Sequence, residues 1–82
     1  MEARTHIRKY ILENYLFSDD PSELEDGISL LEKGVIDSTG IMELVFFLEE
    51  EWGIEVDDEE MIPENLDSVD NIVHFVEKKL PH

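Results

Sequence analysis

Apolar residues recur along this chain at helical spacing. The clearest stretch runs from Ile41 to Trp52, where Ile41, Leu44, Val45, Leu48 and Trp52 fall on one face of a helix. The same wheel sends Ser38, Met42 and Glu49 outward, with Thr39, Glu43, Phe46 and Glu50 beside them. An earlier helix is predicted from Glu2 or Arg4 to Leu16, on the spacing of Ile7, Ile11 and Tyr15. The last runs from Ser68 to Leu80, with Val69, Ile72, Val73, Val76 and Leu80 as its stripe. Asp67 is its expected N-cap, Asp70 the partner in a capping box, and Lys78 and Lys79 suit its C-terminal end.

Between these helices the pattern is irregular. Phe17 to Lys33 reads as a long loop, with turn chemistry at Ser18-Asp19-Asp20-Pro21-Ser22 and apolar anchors at Leu24, Ile28, Leu30 and Leu31. A loop of that length must pack, so Ile28 to Leu31 are expected in the core. After Trp52, Gly53 is a natural helix stop. Ile54 and Val56 alternate inward along an extended link. Asp57 to Ile62 is expected as a short helix with Met61 and Ile62 inward, ended by Pro63, with Glu64-Asn65-Leu66 as a connecting turn. The fold class expected is all-α: a small four-helix bundle, three longer helices, a short third one and a long first loop, in a single domain over residues 1–82.

The head of the second helix carries the candidate chemistry. Asp37 is a good N-cap, and Val35 and Ile36 can pack back to fix the entry angle. Ser38 then sits in the first turn, where unpaired N–H groups and the helix dipole favour an anion. On local physics alone, helix capping is the better reading of Ser38. Met42 and Phe46 are apolar yet outward, framed by Glu43, Glu49 and Glu50, which has the character of a docking face.

Asp37-Ser38, followed by Met42-Glu43-Leu44 and Leu48-Glu49-Glu50-Glu51-Trp52, resembles the acyl carrier proteins, over about Ile7 to Val76. That resemblance implies the acyl-carrier type of bundle. It implies a 4′-phosphopantetheine arm, drawn from coenzyme A by a phosphopantetheinyl transferase and carried on Ser38 beside Asp37. Acyl intermediates would ride on the arm as thioesters, for fatty-acid, polyketide or other specialised acyl metabolism. Partner enzymes with basic patches would dock on Thr39, Met42, Glu43, Phe46, Glu49 and Glu50. A sheltered cargo chain would be lined by Leu48, Ile54 and Met61. The sequence departs from the family where Thr39 replaces a common leucine and where Gly40 lies inside the first helical turns. Lys33-Gly34-Val35-Ile36 also stands in place of the glycine pair of peptidyl carriers. The Asp-Ser-Thr-Gly form looks more like specialised free-standing carriers, some of them aminoacyl or D-alanyl carriers loaded by adenylating ligases.

Charge bounds the partners only weakly, and an acidic surface kept for solubility is an equal reading of it. The 82 residues hold 22 acidic and 6 basic side chains, a net charge of −16, and no Lys or Arg between Lys33 and Lys78. Such a chain repels nucleic acid and anionic membrane and favours basic protein partners. Apolar residues make up 41%, enough to argue against disorder. The absence of cysteine excludes disulfides and thiolate metal sites. No run spans a membrane, and Met1 to Lys9 is too polar for a signal peptide, so a cytoplasmic monomer is expected.

A hydrolase is not expected. His6, His74 and His82 belong to no recognisable motif, and Gly-x-Ser-x-Gly is absent. Asp57-Asp58-Glu59-Glu60 lacks the ligand spacing of an EF-hand loop, so no metal site is assigned. The rival to a carrier is an acidic interaction module without cofactor that engages a basic partner.

Overall fold

The computed structural model describes residues 3–80. Met1, Glu2, Pro81 and His82 lie outside the described residues, and with them the Glu2 start considered for the first helix. The described chain is all-α, with no strand. Helix α1 spans Ala3–Ile11, α2 Ser38–Trp52, α3 Pro63–Leu66 and α4 Val69–Lys79. Helix α1 packs on α4, and so does α3. Among the described residues no helix is long and apolar enough to cross a membrane.

Burial follows the helical periodicity. Ile7 and Ile11 of α1, Leu44 and Leu48 of α2, and Ile72 and Val76 of α4 are fully buried. Each such side chain contributes about 1.5–3 kcal/mol through burial. Phe75 joins them in the core, although the spacing of the last helix does not single it out. The first helix changes character before its expected end: Leu12–Leu16 forms a π-helical turn. That turn closes on Phe17, which takes a left-handed conformation at φ 51°.

The long loop is held by charge and by its anchors. Leu24, Leu30 and Ile36 are buried, and Ile28 is half-buried. Leu31 is not drawn inward with them and stays 37% exposed. Two basic residues near the start find their purpose here. Arg4 donates to Asp26 and Asp70, each at 2.6 Å, and so ties the loop to α4. Arg8 pairs with Asp26 and donates to the carbonyls of Leu24 at 2.8 Å and Pro21 at 2.7 Å.

Two boundaries differ from the sequence reading. Asp58–Glu60 is only a 3₁₀ turn, and the short helix begins at Pro63 instead of ending there. Proline suits the first helical position, since its missing N–H would have had no partner there. Glu64-Asn65-Leu66, expected as a connecting turn, is therefore helical, and Ile62 just before it is 41% exposed. At α4 the cap is Ser68, whose Oγ accepts from Asn71 N–H at 3.1 Å, so Asp70 serves no capping box. Asp67 binds the loop instead: its carboxylate accepts from Ser29 Oγ at 2.5 Å and Leu31 N–H at 2.9 Å. Its carbonyl takes Leu30 N–H at 2.6 Å.

Candidate functional site

Helix α2 starts where a buried anchor meets three exposed polar residues. Ile36 is buried and fixes the entry of the chain, while Asp37, Ser38 and Thr39 are exposed. The Asp37 carboxylate accepts the Gly40 N–H at 2.8 Å, and its carbonyl accepts the Ile41 N–H at 2.9 Å. Capping thus belongs to Asp37. Ser38 is the first helical residue, and among the described residues no hydrogen-bond partner is seen for its N–H or that of Thr39. Its hydroxyl stands at the positive end of a fifteen-residue helix.

Gly40 is buried under this start, and the reason is steric. A β-carbon there would lie 2.9 Å from Ile36 Cγ2 and 3.3 Å from Tyr15 Cε1. Tyr15 comes from the π-helical turn after α1. Its hydroxyl donates to Glu43 Oε1 at 2.8 Å and lies 3.3 Å from the Gly40 carbonyl. Burial, then the hydrogen bonds with Tyr10 and Glu43, push the phenol well above its ordinary range. The space that Gly40 leaves open is thus filled by this chain's own side chains.

Two hollows of opposite character open at the start of α2. One is a groove of about 310 Å³, lined by Ser38, Leu31, Ile41, Met42, Met61, Ile62, Pro63 and Leu66. Apart from Ser38 its side chains are all apolar. The other is a notch of about 290 Å³, lined by Tyr15, Gly34, Val35, Asp37, Thr39, Gly40 and Glu43, to which Ser38 itself does not contribute. That notch carries two carboxylates and a phenol. The groove thus has one wall from α2 and Leu31, and the other from Met61, Ile62 and α3. The late start of α3 at Pro63 builds the second wall, so reading Pro63 as a stop hides the groove. Proline at a first helical position is the sequence signal available for it.

The other site residues fall in distinct places. Met42 and Phe46 are each 65% exposed on the outer face of α2, with Glu50 exposed beside them. Glu43 is committed to Tyr15. Glu49 is half-buried, and its carboxylate accepts the Val56 N–H at 3.0 Å, which fastens the link after α2. Of Leu48, Ile54 and Met61, Met61 alone lines the groove. Leu48 and Ile54 are buried in the core. Phe47 is half-buried, stacks on Tyr10 at 4.0 Å between ring centroids, and meets Trp52 edge-on at 5.8 Å.

No family model matches the chain, and no curated protein matches it either. The functional reading therefore stands on the residues and their geometry.

Proposed function

We propose that this chain is an acyl carrier, an acyl-carrier-type bundle whose Ser38 holds a 4′-phosphopantetheine arm. The observation that carries the reading is the position of Ser38. It is an exposed hydroxyl at the first residue of a long helix, next to a carboxylate that caps the helix in its place. A serine that does no capping is left for another purpose. The surroundings fit the group: a phosphodiester there would meet the unengaged N–H groups and the positive dipole end.

In the transfer, Ser38 Oγ bonds to the phosphorus of coenzyme A that bears the pantetheine. The phosphoanhydride bond breaks, and adenosine 3′,5′-bisphosphate departs. The hydroxyl proton goes to a base of the transferase. The arm, once bound, supplies a thiol that holds acyl groups as thioesters, which this chain without cysteine lacks. Partner enzymes with basic patches would meet Met42 and Phe46 as apolar anchors, with Thr39 and Glu50 at the rim. Glu43 and Glu49 add charge there while engaged with Tyr15 and Val56. A cargo chain beside Leu48 and Ile54 would have to part a closed core.

The test is an intact mass after incubation with coenzyme A and a broad-specificity transferase. One phosphopantetheine adduct is expected, and none in Ser38→Ala. A chain that gains no adduct, or a Ser38→Ala variant that still gains one, overturns the reading in favour of an acidic interaction module.

A further inference from the structure

We infer that this chain pairs with a second copy of itself through the exposed face of α1, with Phe17 of each copy seated in the hollow between α1 and the long loop of the other. The inference goes beyond the carrier reading and does not rest on it. It departs from the monomer expected of the sequence.

Phe17 is the first observation. It is 84% exposed, and its backbone sits at φ 51°, in the left-handed region that a bulky side chain rarely adopts. Glycine or asparagine would close the π-helical turn at less cost. A lone exposed apolar residue is ordinary. One that also holds an unfavourable backbone conformation calls for a use outside its own fold.

The hollow is the second. It measures about 340 Å³, and Ser18, the residue after Phe17, lies on its lining. Leu12, Pro21 and the aliphatic stems of Arg4, Arg8 and Lys9 give it apolar wall. The guanidinium groups of Arg4 and Arg8 suit the face of an aromatic ring. These cations are three of the chain's six Lys and Arg. On a chain of net charge −16, an acidic surface is repelled least here.

The spacing of this face selects a second copy as the occupant. Thr5, Lys9, Glu13 and Phe17 follow one another at four-residue intervals, and all are exposed. The first three line the hollow together. Let two copies meet antiparallel about a two-fold axis at the level of residue 11. Lys9 then opposes Glu13 of the second copy, and Phe17 opposes Thr5 at the end of the second copy's hollow. Each contact forms twice, as an isologous interface requires. No residue of α2 lines the hollow, so the pair leaves Ser38 open. One helix face covers less than the roughly 800 Å² per partner of a standard interface, and the net charges repel. Association is therefore weak and appears at high concentration.

Sedimentation equilibrium of the full chain, over a series rising to millimolar concentration, is the test. A reversible monomer–dimer equilibrium is expected. Phe17→Gly should weaken it by about 30-fold or more, as loss of a buried aromatic anchor does. The same variant should keep or raise the melting temperature, because glycine accepts φ 51°, so lost association is not lost folding. Lys9→Glu and Glu13→Lys should each weaken the dimer, and the two together should restore it. A chain that stays monomeric throughout overturns the inference. So does a dimer that Phe17→Gly leaves equally tight, since another face, such as that of Met42 and Phe46, would then form it. A double variant no tighter than the single ones overturns it too. None of these outcomes bears on the carrier reading, which the adduct decides.

Discussion

Tyr15 occupies the space that a side chain at residue 40 would need: a β-carbon on Gly40 would come within 3.3 Å of its ring, and within 2.9 Å of Ile36 Cγ2. The glycine in the first turns of α2 is thus a packing requirement. Alanine there would gain up to ~1 kcal/mol in helix propensity. Overpacking a filled site costs about 1–3 kcal/mol, and Ile36 is buried and cannot easily yield. Gly40→Ala is expected to destabilise the chain by ~0.5–2 kcal/mol in urea denaturation, with an unchanged slope. Gly27→Ala is the control, because a β-carbon there meets only Asp70 Oδ2 at 3.9 Å. A Gly40→Ala variant as stable as Gly27→Ala would contradict the packing argument.

The phenol of Tyr15 also has a pH signature. Its pKa is raised in the folded state, by burial first and then by its hydrogen bonds to Tyr10 and Glu43. A raised folded pKa contributes stability that is complete below the unfolded value. Above about pH 10 the unfolded phenol loses its proton while the folded one keeps it, so stability falls as pH rises. Tyr15→Phe should remove that part of the alkaline decline. At neutral pH it should cost about 0.5–1.5 kcal/mol, since Glu43 is exposed and can turn to water. Equilibrium denaturation of both proteins between pH 7 and about 11 reads both effects. Parallel curves for the two would show that the hydroxyl carries no linkage.

Capping and display are divided between adjacent residues, and mutation can separate them. Asp37 holds the Gly40 N–H. Asp37→Ala is expected to cost about 0.5–2 kcal/mol of stability. Ser38→Ala, at an exposed position that caps nothing, should stay within about 0.5 kcal/mol of the parent. Thermal melts decide between them, and an inverted order would return Ser38 to the role of a cap. The division also predicts that Ser38→Ala removes the adduct without weakening the fold.

The sequence made the periodic elements visible because their residues answer to a single constraint, burial at 3.6-residue spacing. Ile7, Ile11, Leu44, Leu48, Ile72 and Val76 all went where the wheel put them. Asp37 and Gly53 were equally readable, since a cap and a left-handed helix stop at φ 65° are local demands. What stayed hidden depends on partners far along the chain. Asp67 could cap α4 in isolation, but Ser29 and Leu31 claim its carboxylate, and Ser68 takes over the cap. Glu49 stood on an outward face until Val56 folded back to it. Tyr15 read as one more apolar position, because nothing local announces that its hydroxyl reaches Glu43, 28 residues away. The groove was missed for the same reason, as its second wall depends on where Pro63 starts a helix.

The charge of −16 sets a competition that salt should expose. The ion pairs of Arg4, Arg8 and Lys79 are all partly solvated. Such pairs contribute about 0–1 kcal/mol each, and salt weakens them. Against them stands repulsion among carboxylates spread over a body only 31 × 26 × 19 Å. At low ionic strength the screening length is about 30 Å, so most of the surface repels itself; near 1 M it falls to about 3 Å. Repulsion outweighs the ion pairs, because 22 acidic side chains share so few cations. The melting temperature is therefore expected to rise with sodium chloride, by about 4–8 °C for each kcal/mol of repulsion removed. Acid has a second effect at Glu60, whose carboxyl is held below its usual range by Lys79 and then by the Asp57 N–H. A lowered folded pKa gives stability that is present above the ordinary carboxylate range and lost as pH falls through it. Calorimetry across a salt series at neutral pH isolates the repulsion, and a melting temperature that falls with added salt would show that the ion pairs dominate instead.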